Sequence, residues 1–344
     1  MKKVICLGLK TVAVTCTLIV LFGCYVYSES DVNAHARKKT NLSAWITSWD
    51  FDMGEKELKK IEDKVEKVSF FGAYFNAQDQ LFIPAEFAEK ISAMKTENDH
   101  YETYLTFVND KENEDGSVIF KDIDVLKRIF STEESMEQHV DDIIALALQG
   151  GYDGIEMDYE RVWRDEALEK NFLRFFSKLY EKALQHNMKV RLVLEPGVIF
   201  SEDKFIEGPE YVVMLYNLYG VHSGPGPKAD RKFIEKTIDK MAVLPDKKAV
   251  AFSTGGCKWG SNGEKKFLTE AEAVALAEKY RAKPKRDKDS QCMVFSYQDQ
   301  DVHYDVWYAD YKTLNYWVSI AKDKGIYQSS IWRLGGNIAV HKIK

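Results

Sequence analysis

The sequence predicts an α/β fold, a (β/α)8 TIM barrel with a small α+β insertion, and three observations carry that expectation. Strand-like runs alternate with helix-like ones from residue 42 to residue 332, which is the pattern of a parallel sheet. Eight such strands can be placed, the number that closes a barrel, and the fourth bears a row of carboxylates where barrels of this kind gather their chemistry. The chain is also large enough for one big core, with 344 residues of which 45% are hydrophobic.

In chain order, the first three strands are expected at residues 42–49, 67–75 and 103–108, each followed by a helix. The helix before the fourth strand is read from a capping box of Ser131 and Glu134, with Met136, Val140, Ile143, Ile144 and Ala147 on one face. The fourth strand lies within residues 150–160, and a long helix is expected over 162–186. Residues 190–194, 211–216, 249–253 and 326–332 supply four more strands. The chain ends shortly after Trp332, so an eighth helix must be short or absent. About 55 residues separate the seventh strand from a helix expected near Asp310, more than a βα loop needs. Within them, residues 269–280 read as a helix, 283–289 as a charged loop, and 293–297 with 302–307 as a hairpin. Residues 256–308 are therefore expected to form an α+β insertion on the catalytic face.

The N-terminus has the order of an export signal, with Lys2, Lys3 and Lys10 ahead of an apolar stretch over residues 11–27. Leu21-Phe22-Gly23-Cys24 resembles a bacterial lipobox, which implies lipidation of Cys24 and a mature chain starting there. The rival reading is an uncleaved signal anchor. Either way residues 25–40 form a spacer and residues 41–344 a barrel outside the cytoplasm, tethered to a bacterial cell surface. Of the five cysteines, only Cys257 and Cys292 lie beyond the leader, and they are compatible with a disulfide or with two buried thiols. The seven histidines show no metal-ligand spacing, so no metal and no cofactor is expected. The net charge of −6 belongs to a chain whose leader is basic, which leaves the rest more acidic still and excludes nucleic acid as a partner. A monomer handling a neutral or weakly charged substrate is expected.

Residues 150–160 read Gly-Gly-Tyr-Asp-Gly-Ile-Glu-Met-Asp-Tyr-Glu. In a strand, alternate side chains share a face, so Glu156, Asp158 and Glu160 point one way while Ile155, Met157 and Tyr159 point the other. At about 7 Å and an effective dielectric near 20, each neighbouring pair of charges costs roughly 2 kcal/mol. The set therefore shares protons, and one member stays protonated near neutral pH, as a general acid requires. A solvated acidic strand edge is the bland alternative, which the glycines and the apolar Ile155 and Met157 argue against.

This run resembles the Asp-x-x-Asp-x-Asp-x-Glu signature of family 18 glycoside hydrolases, the chitinase-like enzymes, through Asp153, Glu156, Asp158 and Glu160. Glu156 stands where the family usually has aspartate. Met214-Leu215-Tyr216-Asn217, at the end of the sixth strand, resembles the family's Met-x-Tyr-Asp motif, with Asn217 in place of the acid. Trp332 resembles the tryptophan that floors the catalytic subsite, and a sugar ring stacks well on an indole. Val306-Trp307-Tyr308 and the run from Trp332 to Gly336 resemble the bacterial branch of spore and cell-wall lysins. The resemblance implies a retaining hydrolase that uses the substrate's 2-acetamido group as nucleophile, on β-linked N-acetylglucosamine in peptidoglycan first, or in chitin or N-glycan cores. It implies that Glu160 is the acid, that Asp158 orients the acetamido group, that Glu156 tunes Asp158, and that Tyr216 holds the acetamido oxygen.

From position, Trp49, Asn109 and Glu195 are expected to line the cleft with Met214 and Asn217. Trp45, Trp259 and Trp307 are weaker candidates for flanking subsites, and Trp163 and Trp317 are read as packing residues. The stiff loop 219–228 either shapes the groove or is an ordinary turn. A glycan-binding barrel without catalysis, or an interaction scaffold, is the alternative of another class.

Overall fold

The computed structural model describes residues 40–96 and 100–344. The leader, Cys24 and most of the expected spacer lie outside the described residues.

Eight parallel strands close into a barrel: β1 (Asn41–Thr47), β2 (Val65–Phe75), β3 (Glu102–Glu112), β4 (Gly154–Asp158), β5 (Lys189–Leu194), β6 (Glu210–Met214), β7 (Lys248–Ser253) and β8 (Gln328–Trp332). Neighbours in sequence pair around the ring, and β8 closes it by pairing β1 through Asn41 and Gln328 and β7 through Val250 and Ser329. In register, Val108 lies opposite Asp158 and Glu156 opposite Arg191. The parallel pairing sends every strand's C-terminal end to one face, so the loops after them form a single functional surface.

Strand period 2 divides the core. Ile155, Met157 and Tyr159 face the helices, where Met136, Val140, Ile143, Ile144 and Ala147 from Glu133–Gln149 and Phe172, Phe175, Phe176 and Leu179 from Glu166–Gln185 bury their apolar stripes. Each such aromatic stabilises the fold by roughly 1.5–3 kcal/mol through burial. Inside the barrel a smaller cluster of Trp45, Phe71, Val108, Val193, Val212, Met214, Ala249 and Ala251 lies beneath Tyr74, Tyr216 and Trp332.

The helix Glu133–Gln149 begins one residue later than its expected capping box. Thr132 accepts the Ser135 N–H and Ser135 returns the bond, so this pair wins over Ser131 and Glu134. The expected continuous helix over 162–186 is a 3-10 turn, Val162–Arg164, followed by Glu166–Gln185 capped by Asp165. After β5 the chain turns without a helix, and after β8 only the 3-10 turn Val340–Lys342 remains. The segment after β8 is held by a clamp: buried Glu57 accepts the N–H groups of Gly335 and Asn337 at 2.7 and 2.6 Å.

The insertion between β7 and the helix Tyr311–Asp323 is a five-stranded antiparallel sheet with the helix Glu270–Lys279 against it. Its central hairpin pairs Met293–Asp299 with Val302–Ala309. Thr269 and Glu272 form the capping box of its helix. Cys257 and Cys292 are both buried free thiols. Among the described residues, no helix is long and apolar enough to cross a membrane.

Candidate active site

The alternation read from the sequence places Glu156 and Asp158 on the inner face of β4 and Glu160 two residues past its end, at increasing height toward the C-terminal face. Glu156 is fully buried in a cage of donors: Trp45 Nε1 at 2.5 Å, Thr106 Oγ1 at 2.8 Å, Ser69 Oγ at 3.0 Å and the Arg191 guanidinium at 3.1 Å. Arg191, itself 1% exposed, also pairs with Glu210 at 2.8 Å, and Glu210 with Lys67 at 2.7 Å. Two carboxylates thus meet two cations inside the barrel, which meets the requirement that buried charges be paired.

Asp158 lies above this quartet. Burial pushes its carboxyl well above the usual aspartate range; the charges of Glu160, Glu156 and Asp110 add to the shift and Lys121 opposes it. Its Oδ1 is sealed from solvent and has no partner among the described residues. Glu160 is at the mouth, where burial raises its carboxyl, Lys121 opposes the rise through an ion pair and hydrogen bond, and Glu195 and Asp110 reinforce it. A buried Asp158 beside a less buried Glu160, both biased toward the protonated form, is a coupled pair able to hold one proton and pass another.

Tyr216 is half-buried at the end of β6, with burial and then the charges of Asp158, Glu160 and Glu156 holding its hydroxyl protonated. Trp332 ends β8, edge-on to Trp45 at 5.8 Å and to Phe71 at 5.0 Å, and stays partly open to solvent. Trp49 is 60% exposed on the same face and packs edge-on against Phe71. Together these rings give the mouth an apolar wall beside its acids. Glu195, at the end of β5, accepts the Arg161 N–H at 2.9 Å and faces Glu160.

Several expected cleft residues do other work. Asn109 is 1% exposed, and its amide is spent on backbone: Oδ1 accepts the Glu160 N–H at 2.9 Å while Nδ2 donates to the carbonyls of Glu160 and Asp122. It positions the acid and is not free to meet a ligand. Met214 is buried under the floor, and Asn217 is exposed at the rim. Trp45 is inside the barrel holding Glu156, so it is not a flanking subsite. Trp259 is buried too, donating to the carbonyls of Gly220 and Ser223; loop 219–228 is thereby docked on the insertion. Trp307 is half-buried against the main core. Asp153 caps the opposite end of the barrel, accepting from the Thr103 N–H and hydroxyl.

Arg191, Lys121 and Asp110 were not singled out in the sequence. Arg191 offered a signal, a lone cation inside an apolar strand run, Val190 to Leu194. Lys121 offered none, since it lies in a loop 39 residues from its partner.

A closed barrel with buried, coupled carboxylates on its fourth strand and an indole ending its eighth is a chitinase-like architecture. No protein-family model matches the chain. It is 27% identical over 230 residues to the uncharacterized glycosylase YvbX of Bacillus subtilis (strain 168), over 62% of this chain and 66% of that one. It is 25% identical over 217 residues to the cortical fragment-lytic enzyme of Bacillus anthracis, over 57% and 49% respectively. The chain thus spans between about half and two thirds of the curated relatives it matches. Among solved structures, a chitinase from Chromobacterium violaceum aligns with a TM-score of 0.71 at 17% identity, over 88% of this chain and 96% of that one. The spore cortex-lytic enzyme SleL of Bacillus megaterium aligns at 0.72 and 15%, over 90% and 73%. These structural likenesses establish the barrel fold, and the similarities lie with the groups that the family 18 resemblance implied.

The raised carboxyls have a measurable consequence. Unfolded, Asp158 and Glu160 ionise near 3.8 and 4.5; folded, they keep their protons to higher pH, so stability falls as pH rises from about 4 through the raised values and then levels off. Asp158→Asn removes much of that loss. In urea unfolding the variant should gain stability over the parent at pH 7 and show a smaller gain at pH 4; an equal difference at both pH values contradicts the assignment.

Proposed function

We propose that this chain is a retaining glycoside hydrolase that cleaves β-linked N-acetylglucosamine-containing glycans, peptidoglycan by preference, by substrate-assisted catalysis. The observation that carries the reading is the graded acid pair at the end of β4: a buried Asp158, one oxygen of which has no partner among the described residues, below a more open Glu160, both biased toward protonation. The wall formed by Trp332 and Trp49 supports a sugar as the ligand.

In this reading Glu160 gives its proton to the glycosidic oxygen while the acetamido oxygen of the same sugar attacks the anomeric carbon. The C1–O bond breaks, the leaving alcohol takes the proton, and a bicyclic oxazolinium forms. Asp158, its own proton passed up to Glu160, accepts the acetamido N–H as a carboxylate and balances the positive charge, and the Tyr216 hydroxyl donates to the acetamido oxygen. Glu160, now a base, removes a proton from water as the water opens the oxazolinium, restoring the anomeric configuration. Most glycosidases of retaining type use a protein carboxylate as nucleophile, and family 18 is an exception. The sequence similarity to a glycosylase and a cortical fragment-lytic enzyme supports the choice of glycan.

Glu160→Gln should lower kcat on a chito-oligosaccharide or muropeptide substrate by about 10²–10⁴-fold while leaving ligand affinity within a few-fold of the parent. Turnover near the parental rate would sink the assignment.

The same proposal places the domain at a bacterial cell surface through a lipid on Cys24, on the strength of the leader's charge and apolar order. Radiolabelled palmitate should mark the parent and not Cys24→Ala, and the variant should leave the membrane or retain its leader. A parent that takes up no label favours the signal anchor.

A further inference from the structure

Glu160 is ion-paired with Lys121, and the loop bearing Lys121 is built to put it there. Asn109 bonds the Glu160 backbone in both directions and also the carbonyl of Asp122, whose N–H returns to the Asn109 carbonyl at 2.7 Å. One side chain therefore ties the acid to the residue after Lys121. Asp110 accepts the Lys121 N–H at 2.8 Å. Lys121 itself is held at φ +56°, a left-handed conformation unfavourable for a residue with a Cβ. A lysine that met a carboxylate by chance at the surface would need none of this.

As it stands the pair works against catalysis. An ammonium beside Glu160 favours its ionised form, whereas the acid must arrive protonated. The acids that face Glu160 act in the other direction: Asp110 from the end of β3, Asp158 from β4 and Glu195 from the end of β5, with Arg164 against Glu195 at 4.0 Å and Arg161 beside Asp110. Tyr216, two residues past β6, is neutral. Burial and these acids already hold the Glu160 carboxyl above the usual glutamate range, and Lys121 opposes them, so removing that contact enlarges the protonated fraction.

Glu160 hands its proton to the oxygen of the departing sugar, so an ammonium touching its carboxylate lies on the leaving-group side. On the glycosidase reading above, we propose that Lys121 determines specificity as an electrostatic latch, drawn off Glu160 by a carboxylate on the leaving-group sugar. Glycans with an acidic sugar in that place are turned over faster, and with neutral ones Lys121 stays on Glu160 and holds down its protonated fraction. The exchange replaces one carboxylate partner by another, and the released Glu160 takes up the proton held by Asp158. Lys121 is 39% exposed in its side chain, which leaves it room to swing. N-acetylglucosamine linked to a muramic-acid-type sugar, with its lactyl ether carboxylate, has the required chemistry, and a plain N-acetylglucosamine homopolymer does not.

The test uses the purified full-length chain and two aryl β-glycosides of N,N′-diacetylchitobiose, one releasing 4-hydroxyphenylacetate and the other 4-hydroxyphenylacetamide. The two phenols are of similar acidity and differ in charge. The parent should favour the carboxylate in kcat/KM by about tenfold or more. Lys121→Met should abolish that preference chiefly by speeding the carboxamide, and the alkaline limb of its kcat/KM profile on the carboxamide should move to higher pH, since the group that stabilised ionised Glu160 is gone. Lys121→Arg should restore the preference. Equal rates on the two glycosides in the parent, or a Lys121→Met variant that slows both alike with an unmoved alkaline limb, overturns the latch and leaves the glycosidase reading standing. Hydrolysis of neither glycoside overturns that reading and the latch with it.

Discussion

The barrel's interior depends on Arg191. Without it, Glu156 and Glu210 would be two carboxylates enclosed by low-dielectric walls, each costing several kcal/mol to desolvate. With it, and with Lys67 behind Glu210, the four charges balance, and Trp45, Ser69 and Thr106 satisfy the remaining lone pairs of Glu156. The arrangement has a functional consequence one level up. Since Glu156 has its own cation and a full set of donors below it, Asp158 is left as the carboxyl without compensation, and the proton settles there. The gradient of compensation along one strand, from a caged glutamate to an enclosed aspartate to a glutamate at the mouth, is what separates three acids that are alike in isolation.

The same gradient sets a trade between stability and chemistry. An enclosed carboxyl with an oxygen that has no partner among the described residues destabilises the resting fold, and such strain persists only where the surroundings over-determine it. Here the surroundings are the helix-facing core of Ile155, Met157 and Tyr159 on the other side of the same strand. Those side chains hold β4 in register, and a strand in register cannot rotate its acids away from one another. Packing energy from one face thus sustains electrostatic tension on the other.

The parts that were legible in the sequence are those governed by local periodicity. The shared face of Glu156, Asp158 and Glu160 follows from a period of two, and the expected strands lie within a few residues of β1 to β8 because each is a short apolar run between turn signals. The hairpin of the insertion and its helix over residues 269–280 were legible for the same reason. What sequence could not supply was pairing over distance. Trp45 reaches Glu156 across 111 residues, and Lys121 reaches Glu160 out of a loop with no pattern of its own. Asn109 looked like a cleft residue because it ends a strand; that the backbone of Glu160 would consume its amide is a property of the closed ring. Capping boxes show the limit in miniature, since Ser131 with Glu134 and Thr132 with Ser135 both satisfy the spacing and only the folded turn selects between them.

The central claim is that the site is built around a positively charged bicyclic intermediate formed by the substrate's own acetamido group. It is tested most directly by the inhibition constant of a thiazoline mimic of that oxazolinium, measured against the parent, Asp158→Ala and Tyr216→Phe. The parent should bind the mimic at least about 10²-fold more tightly than N-acetylglucosamine itself, as expected of an analogue of a high-energy species. Asp158→Ala should lose most of that advantage, and Tyr216→Phe only the worth of one hydrogen bond, roughly 0.5–1.5 kcal/mol. A mimic that binds no better than the plain sugar, or that binds Asp158→Ala as tightly as the parent, would contradict the account.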